Sequence, residues 1–141
     1  MNAKEFLDTN ILVYAFDLSA GPKRVIAINL IERLSRERTG CASVQVLQEF
    51  YVTMTKKLSM PPEDAARQIE RLGHWNIHRP GVADVLTACK THREYPVSFW
   101  DAMVVQSASR LGCRILWSED LSDGGKWHSV TVLNPFAQAS T

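Results

Sequence analysis

One stretch near the start of the chain reads Glu5-Phe6-Leu7-Asp8-Thr9-Asn10-Ile11-Leu12-Val13-Tyr14. At its polar centre, the pattern changes from that of a strand to that of a helix. Glu5-Phe6-Leu7 predicts a short first strand. Asp8 then stands where a helix N-cap is expected, because its carboxylate can accept a hydrogen bond from a backbone amide of the first helical turn. A strand that leads at once into a helix is typical of an α/β fold with a largely parallel sheet.

Strand and helix signals continue to alternate along the rest of the chain. Pro22 suits the first turn of a second helix, for which Gly40 is the expected stop. Ser43 is the expected N-cap of a third helix. Further helices are predicted over residues 61–73, 82–95 and 98–111, and further strands at residues 41–42, 75–77, 113–117 and 130–132.

Length and composition bound the class of protein. The chain has 141 residues, of which 45% are hydrophobic and 22% charged, as in ordinary globular domains. We expect one domain over residues 1–136 and a frayed tail at 137–141. No apolar run reaches the roughly 18 residues of a membrane span, and no secretory signal is present, which together predict a cytoplasmic protein. The net charge of +1 means that any contact with RNA would need a local basic patch.

The cysteines do not indicate a metal site or a disulfide framework. Cys41, Cys89 and Cys113 are odd in number and show no C-x-x-C spacing. Each lies among apolar neighbours, so we expect buried thiols.

Four carboxylates fall at element ends where a site could form. Asp8 follows the first strand and Asp120 follows the strongest one, and ligands bind beyond the carboxyl ends of parallel strands. Asp101 lies in the first turn of a helix, and Glu49 is offset from the apolar face of another. Such a cluster needs a cation, because like charges raise one another's pKa. Carboxylate oxygens favour Mg²⁺ or Mn²⁺, which can activate water for phosphodiester hydrolysis.

Each of these acids also has a purely structural explanation. Asp8 could be no more than a helix cap, and Asp101 stands three residues after Ser98 in a near capping box. Asp120 lies in a turn segment, where aspartate is common, and Glu49 could be a solvated helix residue. The occurrence of all four acids together favours a metal-binding site over four separate structural roles.

The sequence resembles the PIN-domain ribonucleases, and within them the VapC-type toxins of bacterial toxin–antitoxin pairs. The resemblance covers almost the whole chain. The segments that carry it are Phe6-Leu7-Asp8-Thr9-Asn10, Ser43-Val44-Gln45-Val46-Leu47-Gln48-Glu49-Phe50, Phe99-Trp100-Asp101-Ala102, Leu116-Trp117-Ser118-Glu119-Asp120-Leu121-Ser122-Asp123-Gly124 and Leu133-Asn134-Pro135-Phe136.

The resemblance implies a three-layer α/β/α sandwich with a central, mainly parallel sheet. It implies a magnesium-dependent endoribonuclease, with Mn²⁺ as a substitute ion, that forms a homodimer and is inhibited by a cognate antitoxin. By matching position, Asp8 and Asp101 take the roles of direct metal ligands, while Glu49 and Asp120 act through water. The supporting residues, which would orient the carboxylates, are Thr9, Asn10 and Ser118.

The sequence leaves two questions open, namely which acid near residue 120 faces the metal and which basic residues would contact RNA. Glu119, Asp120 and Asp123 lie close together, and we select Asp120 because it matches the S-x-D spacing of the family, which leaves Asp123 as a supplementary ligand or a turn residue. An RNA path could use Lys56 and Lys57 or the region of Arg67 and Arg71, although a solvated helix face is the more common explanation of such basic residues. Trp100 and Trp117 stand in core-like contexts, so Trp75 and Trp127 are the candidates for base stacking.

Other functions fit the motifs less well. A PIN-like module that binds RNA or a partner without cutting would not need all four acids. A phosphatase of the haloacid dehalogenase type is suggested by Asp8 after a strand, but that chemistry needs a second acid where this chain has Asn10. A receiver domain would need its other acids earlier in the chain than Asp101 and Asp120.

Overall fold

A computed structural model describes residues 2–137 of the chain. Residues 138–141, which belong to the tail predicted at 137–141, lie outside the described residues. The helices are α1 (Thr9–Phe16), α2 (Pro22–Glu37), α3 (Val44–Lys56), α4 (Pro62–Leu72), α5 (Val82–Glu94) and α6 (Phe99–Arg110). The strands are β1 (Glu5–Leu7), β2 (Gly40–Ser43), β3 (Asn76–His78), β4 (Ile115–Trp117), β5 (Lys126–Trp127) and β6 (Val130–Leu133).

The strands form one sheet in the order β3-β2-β1-β4-β6-β5. All neighbouring pairs are parallel except β5 and β6, which are antiparallel. Helices α1 to α4 pack against one another, whereas α5 packs on α6, and α6 contacts four of the strands. The predicted three-layer α/β/α fold with a mainly parallel sheet is therefore confirmed.

The core lies between the sheet and these helices. Phe6 and Leu7 of β1 and Leu116 of β4 are fully buried, as expected for central strands that are covered on both faces. Phe50 of α3 is fully buried as well, and it contacts the ring of Phe16 edge to face with 5.6 Å between ring centroids. The central strands are thus packed on both faces, and the residues that follow them leave the sheet from within the core.

The second helix ends differently from the prediction. Its C-cap is Arg38, which adopts a left-handed conformation with φ of 58°, so Gly40 is not the stop. Gly40 opens β2 instead, where a Cβ atom would come within 2.6 Å of the ring of Trp75. Packing against a tryptophan, and not helix termination, accounts for this glycine.

The sequence also misplaced Trp100. It is 61% exposed at the start of α6, although its context predicted burial, and Val82 and Leu86 of α5 are exposed too. The buried positions of α5 are Asp84 and Ala88.

Strand β5 was not predicted, because only two residues form it.

The cysteines agree with the expectation of unpaired thiols. Cys41 and Cys113 are buried, Cys89 is half-buried, and all three are free. Between residues 2 and 137, no helix is long and apolar enough to cross a membrane.

Candidate active site

The candidate site lies where the strand order reverses between β1 and β4. In the parallel register Leu7 pairs with Trp117, so Asp8 and Ser118 leave the sheet side by side. The amide of Asp8 donates to the carbonyl of Trp117 over 3.0 Å. A crevice at such a switch point is the usual ligand-binding place of open α/β sheets.

Asp8 is the most buried acid of the site, with 5% of its surface exposed. One carboxylate oxygen accepts a hydrogen bond from the amide of Thr9 and the other from the hydroxyl of Ser118, both over 2.8 Å. Burial raises the pKa of Asp8 to about 6, opposed by these two hydrogen bonds and assisted by the charges of Asp101 and Asp120. Asp8 is therefore a carboxylate at which a nearby cation would be strongly favoured.

Glu49 reaches the same cleft from the middle of α3. The N-cap Ser43 accepts the amide of Val46 over 3.3 Å and so sets the beginning of that helix. The hydroxyl of Thr9 donates to one Glu49 oxygen over 2.6 Å. Thr9, directly after Asp8, thereby ties the acid of α3 to the end of β1.

Asp101 enters from the first turn of α6. Its amide donates to the hydroxyl of the N-cap Ser98 over 3.0 Å, so the capping interaction predicted from the sequence is present. Partial burial raises the pKa of the Asp101 carboxylate, and the charges of Asp120 and Glu49 raise it further, against a hydrogen bond from Ser98. The backbone amide of Asp101 thus takes part in the helix cap, while its carboxylate is subject to the negative charges of Asp120 and Glu49.

The segment after β4 carries three acids that point to different places. Asp120 lines the cleft and accepts a hydrogen bond from the amide group of Asn10 over 2.9 Å. Asp123 accepts the backbone amide of Asn134 over 2.8 Å and so acts as a turn residue. Of the two placements left open for Asp123, the contact with Asn134 favours the turn.

Glu119 is held away from the cleft by partners that the sequence did not reveal. The hydroxyl of Tyr14 and the ammonium of Lys23 each donate to its carboxylate over 2.5 Å. Burial alone would raise the pKa of Glu119, but Lys23 and Tyr14 hold it below its ordinary value. No local pattern signals this network, since Glu119 is 105 residues from Tyr14 and 96 from Lys23.

The cleft has a volume of about 680 Å³ and combines acidic and apolar walls. Its acids are Asp8, Glu49, Asp101, Asp120 and, at one side, Asp17. Its apolar wall is formed by Val13, Val52, Leu58 and Val104. Lys57 lines it too, whereas Arg71 lines two other cavities, and Arg67 pairs with Asp64 over 3.3 Å. Trp75 and Trp127 lie in cavities apart from the acidic cleft.

The comparisons with known proteins agree with this architecture. The sequence model of the PIN domain matches residues 6–122, which span most of the chain and contain all four acids. The chain belongs to the PIN domain family. None of the curated proteins compared with it gives a significant match.

Solved structures that include toxins and toxin–antitoxin complexes share the fold. A toxin–antitoxin complex from Klebsiella pneumoniae matches with a TM-score of 0.70 and 20% identity, covering 94% of this chain and 98% of that one. VapC20 from Mycobacterium tuberculosis, described as a sarcin–ricin loop cleaving toxin, matches with a TM-score of 0.64 and 18% identity over 83% of this chain and 92% of its own. VapBC2 from Rickettsia felis, bound to a DNA fragment from its promoter, matches with a TM-score of 0.66 and 18% identity over 92% and 97%.

The PIN domain cleft fits a hard divalent cation by the chemistry of its donors. Its four predicted acids offer only oxygen ligands, the set that Mg²⁺ and Mn²⁺ prefer. One further buried oxygen, Oε1 of Gln45, lacks a hydrogen-bond donor. Among the described residues, however, no three acidic, histidine or cysteine side chains are already arranged to hold an ion. Side-chain rotation would therefore have to bring the carboxylates of the cleft together.

The four predicted acids and their three predicted supporting residues lie in or beside this one cleft, whereas Asp123 does not line it. Asp8, Glu49, Asp101, Asp120, Thr9 and Asn10 line it, and Ser118 lies directly beneath, fully buried against Asp8. Sequence reasoning missed Gln45, Tyr14 and Lys23. An i, i+4 spacing of Gln45 to Glu49 was the one signal that could have indicated the first of these.

Proposed function

We propose that this PIN domain protein is a magnesium-dependent endoribonuclease of the VapC type, the toxin of a toxin–antitoxin pair acting in the cytoplasm. The observation that carries the proposal is the cleft in which Asp8, Glu49, Asp101 and Asp120 converge from four separate elements. Repulsion between neighbouring carboxylates is tolerated where a cation and an anionic substrate are to be held.

The four acids divide into two roles in this proposal. Asp8 and Asp101, whose pKa values burial raises, would hold the ion directly. Glu49 and Asp120 would act through water and orient the attacking nucleophile. When bound, Mg²⁺ (or Mn²⁺) would supply positive charge that activates water and stabilises the charge developing on the phosphate.

Three polar residues keep these acids in position. The hydroxyls of Thr9 and Ser118 donate to Glu49 and Asp8, and the amide group of Asn10 donates to Asp120. Such contacts orient metal-binding carboxylates and restrict their rotamers. The supporting roles assigned from the resemblance are thereby given specific partners.

The substrate we propose is RNA, with Lys57 as a backbone contact. Lys57 is the lysine of the 56–57 pair that lines the cleft, and it is exposed. An ammonium beside an acidic centre can hold a phosphate of the strand while the neighbouring phosphodiester lies near the acids. As the path of the RNA strand, we therefore favour the region of Lys56 and Lys57 over the region of Arg67 and Arg71.

The proposed protein partner is a cognate antitoxin that covers the cleft. An apolar groove of about 440 Å³ adjoins it and shares Gln48 and Val52 with it. The rest of the groove consists of Val44, Leu47, Tyr51 and Ile69. A helix with an apolar face would fill such a groove, and a cationic side chain from it could reach the acids.

We also propose a homodimer, supported by exposed apolar side chains on α5 and at the start of α6. Val82, Leu86 and Trp100 are 77%, 64% and 61% exposed. Val82 and Leu86 are one turn apart on α5, and exposed apolar side chains on one helix face are typical of interaction surfaces. Light scattering of the purified chain should give a dimer, and Leu86→Asp should shift it to the monomer.

Cleavage of a mixed RNA pool by the purified chain tests the proposed activity. We expect endonucleolytic products with Mg²⁺ and none with a chelator. No products from a folded protein that binds Mg²⁺, together with no growth arrest when the chain is expressed in bacteria, would favour a silent RNA- or protein-binding module. Hydrolysis of a phosphate monoester would instead revive the phosphatase alternative.

A further inference from the structure

Gln45 is a buried polar residue of the cleft for which the four-acid mechanism gives no role. It lies on the first turn of α3 and is 8% exposed. Its side-chain oxygen, Oε1, is buried without a hydrogen-bond donor. A buried acceptor without a donor is costly, so its retention inside an acidic cleft needs an explanation.

The orientation of the Gln45 amide follows from its neighbours. Its nitrogen donates to the carbonyl of Trp100 over 3.2 Å and makes a longer contact of 3.5 Å with Glu49. Both partners can only accept, since one is a backbone carbonyl and the other a carboxylate. Exchange of the amide oxygen and nitrogen would therefore place acceptor against acceptor, so Oε1 is the atom left without a donor, and it is closed to solvent in this arrangement.

This geometry connects two of the acid-bearing helices. Glu49 lies one helical turn after Gln45 on α3, and Trp100 directly precedes Asp101 on α6. The amide nitrogen thus spans the two helices next to both acids. Its oxygen is left beside them as a neutral acceptor.

We propose that Gln45 belongs to the cation-binding set of this cleft. Its Oε1 is opened by the same side-chain rotation that brings the carboxylates together and then accepts from the hydrated cation, while the amide nitrogen positions Glu49 and α6. This inference rests on the proposed function. A hydrated divalent cation carries strongly polarised water, which supplies the donors that Oε1 lacks. A neutral oxygen does so without adding to the repulsion among the carboxylates.

Titration calorimetry of the full chain with MgCl₂ at pH 7.5 tests the inference. Gln45→Met keeps the length of the side chain but removes both polar atoms. We expect it to weaken Mg²⁺ binding by about ten- to a hundredfold, as loss of outer-shell contacts does at other metal sites. The matched control is Gln68→Met, since Gln68 lies on α4 and lines a cavity apart from the acidic cleft. Its affinity should equal that of the wild type.

A second pair of variants separates cation binding from a merely structural tie. Gln45→Glu keeps an oxygen acceptor at this position but loses the donor to Trp100, and Gln48→Glu adds the same charge nearby. The inference predicts that Gln45→Glu binds Mg²⁺ at least as tightly as Gln48→Glu. It also predicts a lower melting temperature for Gln45→Glu without cation. If Gln45 only tied α3 to α6, both Gln45 variants would lose affinity alike, which would overturn the inference.

The failure of this inference can be told apart from failure of the proposed function. Wild-type protein that cleaves RNA with Mg²⁺, together with a Gln45→Met variant that binds Mg²⁺ equally well, would refute only the role of Gln45. Wild-type protein that neither binds Mg²⁺ nor cleaves RNA would refute both. Urea unfolding of each variant without cation shows whether it is folded, and Gln45→Glu remains decisive if Gln45→Met is not.

Discussion

The hydroxyl of Ser118 donates a hydrogen bond to the carboxylate of Asp8 across the adjacent ends of β4 and β1, over 2.8 Å. Both residues are buried, Ser118 completely. The same hydroxyl oxygen accepts hydrogen bonds from the backbone amides of Asp120 and Leu121, over 3.2 and 3.3 Å. One side chain therefore orients the most buried acid and fixes the segment that carries Asp120.

Ser118→Ala should impair both stability and activity. It leaves an oxygen of Asp8 and two backbone amides without their partner, which should cost about 1–3 kcal/mol of the free energy of unfolding. We expect kcat/KM on RNA to fall by about ten- to a hundredfold, because an orienting contact is lost. Urea unfolding and cleavage assays measure the two effects. Ser122→Ala, at an exposed position of the same segment, is the control, and equal effects of the two substitutions would contradict the assigned role.

Asp8 should make the protein less stable as the pH rises without metal. Its folded-state pKa of about 6 lies above its ordinary value of 3.8, so the folded state binds the proton more tightly and stability falls as the pH rises between these two values. Asp8→Asn removes this charge. Relative to the wild type, it should therefore raise the free energy of unfolding more at pH 7.5 than at pH 4. The expected difference in relative unfolding free energy is about 2 kcal/mol. Urea unfolding in a chelator at both pH values measures it, and a difference that does not change with pH would contradict this account.

The three acids after β4 should differ in their effect on Mg²⁺ affinity. Asp120→Asn should weaken binding, because Asp120 lines the cleft. Glu119→Gln and Asp123→Asn should leave it unchanged, since those carboxylates are bound by Lys23 with Tyr14 and by the amide of Asn134. Calorimetry of the three variants decides this. A loss of affinity in Glu119→Gln that matched the loss in Asp120→Asn would show that the segment rearranges to present Glu119.

The central part of the fold could be predicted because its signals are local. Glu5-Phe6-Leu7 followed by Asp8 predicts a strand that ends in a helix cap, and both features are present. The positive φ of 72° at Gly112 likewise follows from its place just after α6. Hydrophobic pattern and capping residues suffice for such elements.

Contacts between distant segments could not be predicted. Glu119 and Asp120 are adjacent, and their opposite directions depend on Tyr14 and Asn10, about a hundred positions away. Gly40 was misread because its neighbour in space is Trp75, which belongs to a different element. Trp100 was expected in the core, but a tryptophan at the first turn of a helix can face outward, which the sequence of that turn does not reveal.

Lys57 should contribute to substrate binding and not to the chemical step. Lys57→Met should raise KM for RNA with little change in kcat, because a phosphate contact is removed. The slope of log affinity against log salt should fall in magnitude by about 0.7, the contribution of one phosphate of a single strand. Steady-state cleavage at several salt concentrations measures both. Lys56→Met is the matched control, since Lys56 is adjacent and exposed but does not line the cleft, and an equal effect there would contradict the assignment.

The most direct test of the central claim is the rate of RNA cleavage by Asp101→Asn at saturating Mg²⁺, compared with wild type and with Asp123→Asn. Asp101 lines the cleft, whereas Asp123 caps a turn. We predict that Asp101→Asn abolishes cleavage while the protein stays folded, and that Asp123→Asn cleaves at the wild-type rate. Wild-type activity in a folded Asp101→Asn variant would contradict the claim that the acidic cleft is the catalytic centre.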